Sequence, residues 1–132
     1  MEKSKEIADI IAGWFKAAEK GDGAYALANV SRAPSTLLVG TDPKEWYRGK
    51  TAAQFLSDEA KSMGGKIKVK VGKVEAYKEG SVAWGIANPS ITLPNGKIFQ
   101  PRWSAVLHKE AGKWKIVQIH ASAGIPNEQL LA

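Results

Sequence analysis

IFQPRWSAVLHKEAGKWKIVQIHAS, residues 98–122, holds two long runs of period two around one tight join. In the first run Phe99, Pro101, Trp103, Ala105 and Leu107 alternate with Ile98, Gln100, Arg102, Ser104, Val106 and His108. One set is apolar throughout and the other is mixed, as expected of a strand with one face against a core. Glu110-Ala111-Gly112 supplies the glycine that a short hairpin loop needs. In the second run Val117, Ile119 and Ala121 alternate with Trp114, Ile116, Gln118, His120 and Ser122. The first of these two sets is expected to face the core.

Upstream, the same period begins at residue 66. Two further runs end in Lys78-Glu79-Gly80-Ser81 and Pro94-Asn95-Gly96, so the segment from 66 to 122 reads as a four-stranded antiparallel meander. In its first run the apolar positions shift from Ile67, Val69 and Val71 to Val74 and Ala76, which predicts a bulge at Gly72. In its second run the larger set, Val82, Trp84, Ile86 and Asn88, is expected inward, opposite Ala83, Gly85 and Ala87.

Before residue 66 the period is helical. Ile7, Ile10, Ile11, Trp14 and Ala18 form one stripe, and Gly21 after Lys20 gives a stop. Asp22 is placed to cap a second helix carrying Ala24, Leu27 and Ala28, with Pro34 as its end. Ser35 to Thr41 reads as a short strand, followed by a loop from Asp42 to Gly49. Thr51 and Gln54 form a capping box for a third helix with Ala52, Phe55, Leu56, Ala60 and Met63 on one side. Residues 1–132 therefore read as a single α+β domain, with N-terminal helices packed on a curved antiparallel sheet.

Composition narrows the function. Hydrophobic residues make up 44% and charged residues 24%, an ordinary globular balance. With no cysteine, disulfides and thiolate chemistry are excluded. Glu2, Glu6 and Asp9 interrupt the first segment, so no signal peptide is read, and no run is long and apolar enough for a bilayer. The expectation is a cytoplasmic protein without a membrane partner. The net charge of +6 comes mainly from lysine, and Arg32, Arg48 and Arg102 are the only arginines. Lys66, Lys68, Lys70 and Lys73 alternate with apolar residues as on a solvated strand face, without the arginines and stacking aromatics of a nucleic-acid surface. His108 and His120 have no matching carboxylate pair, so no metal or cofactor is expected.

Strand parity then assigns two surfaces. Between helices and sheet, Trp14, Trp46, Phe55, Trp84, Asn88, Phe99, Trp103 and Ile119 are expected to line a pocket for a small apolar ligand. On the opposite sheet face, Arg102, Ser104, Trp114, Gln118, His120 and Ser122 mix apolar and polar groups, a pattern that predicts a homodimer contact.

The order of elements, together with Gly40-Thr41-Asp42-Pro43-Lys44-Glu45-Trp46-Tyr47-Arg48-Gly49, Val82-Ala83-Trp84, Arg102-x-Ser104 and the ending Gly112 to Ser122, resembles the SnoaL-like branch of the nuclear-transport-factor-2-like superfamily. The resemblance implies a cone-shaped, cystatin-like domain, usually dimeric, with a pocket between its long helix and its sheet. It also implies a choice of functions, because the superfamily holds ketosteroid isomerase, polyketide cyclases and dehydratases beside non-catalytic modules. The His-x-Ser ending is similar to the association domain of calcium/calmodulin-dependent kinases.

Isomerase, cyclase or dehydratase chemistry needs a base and a neutral donor in an apolar pocket. His120 or Asp42 is the candidate base and Tyr25 or Tyr47 the candidate donor. Asp42 and Glu45, in the loop beside Trp46, lie within reach of the cone mouth. A plainer reading is favoured for these and for His120: Asp42 opens a turn before Pro43, Glu45 is solvated, and His120 belongs to the outer face. The alternative to a small-molecule-binding protein is an oligomerisation or partner-binding module whose cone is a packed core.

Overall fold

The computed structural model describes Met1–Ala132. In chain order the elements are β1 (Glu2–Lys3), α1 (Lys5–Lys20), α2 (Gly23–Asn29), β2 (Leu37–Val39), β3 (Trp46–Arg48), α3 (Gly49–Met63), β4 (Lys68–Lys70), β5 (Val74–Glu79), β6 (Val82–Ala87), β7 (Ser90–Thr92), β8 (Ile98–Phe99), β9 (Arg102–Glu110), β10 (Lys113–Ser122) and α4 (Asn127–Leu131).

Local chemistry sets the helix ends. The Ser4 hydroxyl accepts the Ile7 amide at 3.2 Å to open α1, and Gly21, in the left-handed region at φ 77°, closes it. Asp22 caps α2 through the Tyr25 amide at 3.3 Å. Helix α2 ends at Asn29, short of Pro34. The expected capping box does not form: α3 starts two residues before Thr51, with Arg48 at its N-cap and no side-chain cap bond, and Gln54 instead bonds Asp58.

Seven strands form one sheet in the order β1-β5-β6-β9-β10-β2-β3. Its pairs are antiparallel except β10 with β2, which is parallel, so the expected antiparallel sheet is a mixed one. The stretch from Asp42 to Gly49, expected as a loop, contains β3, which pairs with β2 as a hairpin.

The meander is folded along a line. Its first three runs break at the same level, at Gly72, at Asn88-Pro89 and at Gln100-Pro101, just outside the paired row Val74, Ala87 and Trp103. Two of these breaks contain proline, which has no amide to give the ladder. Gly72, with φ 70°, turns the third. Beyond the line, β4, β7 and β8 form a separate three-stranded flap in the order β4-β7-β8. The predicted bulge at Gly72 is therefore a strand break between two sheets. Asn88 ties two breaks together by donating to the Pro101 carbonyl at 2.8 Å, and Glu19 of α1 holds the flap by accepting the Val69 amide at 2.5 Å.

Two parity expectations are corrected. In β6 the small residues Ala83, Gly85 and Ala87 face the helices, while Val82, Trp84 and Ile86 point outward. The reason is the approach of α1: a Cβ on Gly85 would lie 2.4 Å from Ile11 Cδ1. Ala76, Ala83 and Ala105 complete a floor of small side chains under Ile7 and Ile11. In β10 the register slips between Ile116 and Gln118, so Val117 is an extra residue that reverses the alternation. Trp114 and Ile116 thus face the core, and the Trp114 indole donates to Glu6 of α1 at 3.1 Å.

Candidate functional site

Between α1, α3, the long sheet and the flap lies a cavity of about 230 Å3. The long sheet contributes Trp103, Ile119, Ala121 and Leu38, α1 contributes Trp14 and Phe15, and the flap side contributes Ile67, Ile91, Leu93, Phe99 and Pro101. Helix α3 places Phe55, Leu56, Glu59 and Met63 on the remaining wall. Phe15 meets Trp103 edge-on at 5.2 Å between ring centroids, and Trp14 lies 6.2 Å from the same indole.

Two carboxyl groups break this apolar lining: Glu45 from the β2–β3 loop and Glu59 from α3. Residues 55, 59 and 63 are one helical turn apart, so Glu59 stands between Phe55 and Met63 on the cavity face of α3. The loop brings Glu45 to it. The Gly40 amide donates to the Glu45 carbonyl at 2.9 Å, and the Asp42 amide donates to Glu45 Oε1 at 3.0 Å. A side chain at residue 40 would collide with the carboxyl, since its Cβ would sit 2.4 Å from Glu45 Oε1. Glu59 faces Glu45, and its pKa is pushed up to about 7, first by burial, then by the charge of Glu45 and by hydrogen bonding with it. Below about pH 7 Glu59 therefore keeps its proton.

The residues expected to line a pocket divide. Trp14, Phe55, Phe99, Trp103 and Ile119 line the cavity. Trp46 is 62% exposed on edge strand β3, and Trp84 stacks on Tyr77 on the outer sheet face at 6.5 Å. Asn88 stands at the strand break and faces the outer groove.

None of the four candidate catalytic residues enters the cavity. Asp42 accepts the Lys44 amide at 2.8 Å in an exposed turn. Tyr25 donates to the Ile10 carbonyl at 2.6 Å, and burial raises its pKa. Tyr47 stacks on Phe55 from outside, with centroids 4.6 Å apart. His120 is exposed on the outer face.

On that outer face a broad open groove of about 830 Å3 is lined in part by Arg102, Ser104, His120 and Ser122. Gln118 joins this face in the row that runs through Trp84 and Val106, whereas Trp114 is excluded from it by the β10 bulge. No group of three or more His, Asp or Glu side chains is arranged to hold a metal ion.

Residues 7–126 match the model of the SnoaL-like domain. The chain belongs to the SnoaL-like domain family. Solved structures show the same nuclear-transport-factor-2-like fold. A protein of unknown function from Pseudomonas putida KT2440 is 16% identical, with 94% of this chain and 88% of that one covered at a TM-score of 0.78. The association domain of CaMKII from C. elegans is 17% identical, covering 90% and 94% at 0.69. A candidate ketosteroid isomerase from Parabacteroides distasonis is 14% identical, covering 93% and 92% at 0.72. No curated protein matches the sequence. The fold is thus shared by proteins described as catalytic and as assembling, and function has to be argued from the site. No helix is long and apolar enough to cross a membrane.

Two features of this SnoaL-like domain escaped the sequence reading. Phe15 continues the series Ile7, Ile11 at four-residue steps, a signal present in the sequence beside the stripe chosen. Glu59 interrupts the apolar face of α3 exactly one turn from Phe55. A charged residue inside an apolar stripe was the available sign.

Proposed function

We propose that this SnoaL-like domain binds a small, mostly apolar organic molecule in its cone and presents one polar atom of it to the Glu45–Glu59 pair. The observation that carries this reading is the carboxyl pair in the wall of a mostly apolar cavity. Holding two half-buried carboxyl groups side by side is costly for folding, and a packed core would be more stable with Gln or Leu at residue 59. The volume of about 230 Å3 lies below the roughly 300–1,000 Å3 of sites for drug-sized ligands, so the ligand is no larger than a substituted ring or two.

The chemistry available to such a pair is proton transfer. A protonated Glu59 donates to a carbonyl or hydroxyl oxygen, while the Glu45 carboxylate accepts a proton from the neighbouring carbon. Isomerisation, cyclisation and dehydration all draw on that step. Native mass spectrometry of the purified protein, before and after denaturation, tests the binding reading. A small organic mass lost on denaturing supports it. If no mass is found, and Ala121→Phe, which fills the cavity, leaves binding of a screened ligand set unchanged, the reading fails.

A second reading concerns assembly, and exposed apolar groups on the outer sheet face favour it. One row across the strands carries Tyr77, Trp84, Val106, Gln118 and Leu37, and the next carries Ile86, Ser104, His120, Val39 and Trp46. Ile86 is 55% exposed there. A second copy packed face to face would cover both rows, making the domain a homodimer with its cones open at opposite sides. Sedimentation equilibrium at micromolar concentration tests this, and a single monomeric species would refute it.

A further inference from the structure

We propose that the ligand of the cone is a small organic cation, a protonated amine on a flat apolar body, held between the aromatic wall and the carboxyl groups of Glu45 and Glu59. The inference rests on the reading of the cavity as a ligand site and goes further by giving the ligand a charge. Its first support is an imbalance. The chain carries 19 Lys and Arg against 13 Asp and Glu, yet no Lys, Arg or His lines the cavity, and Glu45 and Glu59 are its only ionisable groups. The charge of Glu45 disfavours ionisation of Glu59, so a counter-charge between them would be welcome. The protein supplies none from its own side chains and leaves the position to a proton or to a guest.

The second support is the wall. Trp14, Phe15, Phe55, Phe99 and Trp103 surround the same space, and aromatic faces attract ammonium groups most strongly where water is excluded. A carboxylate pair within an aromatic enclosure suits a cation on both counts. An anion would be repelled.

Binding of the cation is then coupled to release of the proton from Glu59. The groups facing Glu59 are few. Glu45 comes from the β2–β3 loop, and α2 contributes Asp22 and Tyr25. The Asp22 carboxylate accepts the Tyr25 amide, and the Tyr25 hydroxyl is committed to the Ile10 carbonyl. From α1, the flap and the long sheet, only uncharged side chains reach this space. Glu59 is therefore the group that titrates near neutrality, at about 7.

Isothermal calorimetry with benzylamine, benzyl alcohol and benzoate at pH 6 and pH 8, in buffers of differing ionisation enthalpy, tests the proposal. Benzylamine is expected to bind about tenfold more tightly at pH 8 than at pH 6, because its binding must expel the proton held up to about 7. At pH 6 it should release close to one proton, and Glu59→Gln and Glu45→Gln should each weaken it and flatten its pH dependence. If benzyl alcohol binds as well as benzylamine at both pH values, the cation is refuted while the ligand cavity stands. If none of the three binds at millimolar concentration, both fall. Benzylamine binding that survives in Ala121→Phe would lie outside the cone and would also overturn the proposal.

Discussion

Replacing Glu59 with Gln keeps the shape and a hydrogen-bond donor toward Glu45 but removes the titrating proton, so it isolates what that proton does to stability. In the unfolded chain Glu59 titrates near 4.5 and in the folded protein near 7. Below pH 4.5 it is protonated in both states and contributes nothing to the pH dependence. Between 4.5 and 7 the folded protein holds a proton that the unfolded chain has lost, so stability falls as pH rises, by at most about 1.4 kcal/mol per unit. Above 7 both states are ionised and the loss is complete. The full shift corresponds to ~3 kcal/mol, reduced to about 2 kcal/mol because Glu59 is only half-buried and solvent screens it. For a chain of this length that is a difference in Tm of roughly 7 °C. Urea unfolding of both proteins at pH 5, 6, 7 and 8 reads it directly. Glu59→Gln should exceed the wild type by only about 0.5 kcal/mol at pH 5 and by about 2 kcal/mol at pH 8. Parallel stability profiles for the two proteins would show that no proton is held at the pair, and the argument built on it would collapse.

Three further outcomes are expected. Gly85→Val should destabilise the protein by about 1–3 kcal/mol in urea unfolding, since its side chain would enter the space of Ile11; an unchanged midpoint would mean that α1 does not press on β6. Trp103→Ala, which removes a buried indole touching Phe15 and Trp14, should cost about 3–5 kcal/mol. Ile86→Lys on the exposed outer face should leave thermal stability of the isolated fold within about 0.5 kcal/mol while shifting sedimentation toward the monomer; a dimer as tight as the wild type's would move the interface elsewhere.

The long antiparallel strands were legible because their face is decided by a period of two, and Phe99 to Leu107 all turned out to point where alternation places them. The failures share a cause. Alternation says which residues share a face but not which face is inward, and in β6 the distance to α1 reversed the choice that side-chain size suggested. In β10 one extra residue at Val117 moved Trp114 and Ile116 across the sheet, and the adjacent apolar pair Ile116-Val117 was its only trace. Around the cavity, five of the eight expected lining residues are where parity placed them, and the meeting of Glu45 with Glu59 was not readable. Glu45 and Glu59 belong to a loop and to a helix 14 residues apart, and only the hairpin of β2 and β3 folds one onto the other. Sequence spacing carries no information about such a meeting.

The line of strand breaks at Gly72, Asn88-Pro89 and Gln100-Pro101 divides labour within the molecule. The long sheet, with Ile7 and Ile11 above its small-residue floor, carries most of the buried core. The flap carries Ile91 and Phe99, whose side chains shape the cavity but sit apart from that floor. Substitution in the flap can therefore reshape the cavity with little cost to folding, whereas the carboxyl pair stays anchored on α3 and the β2–β3 hairpin. On the proposed reading, a domain built this way can change which guest fits its cavity while keeping the same carboxyl pair in the wall.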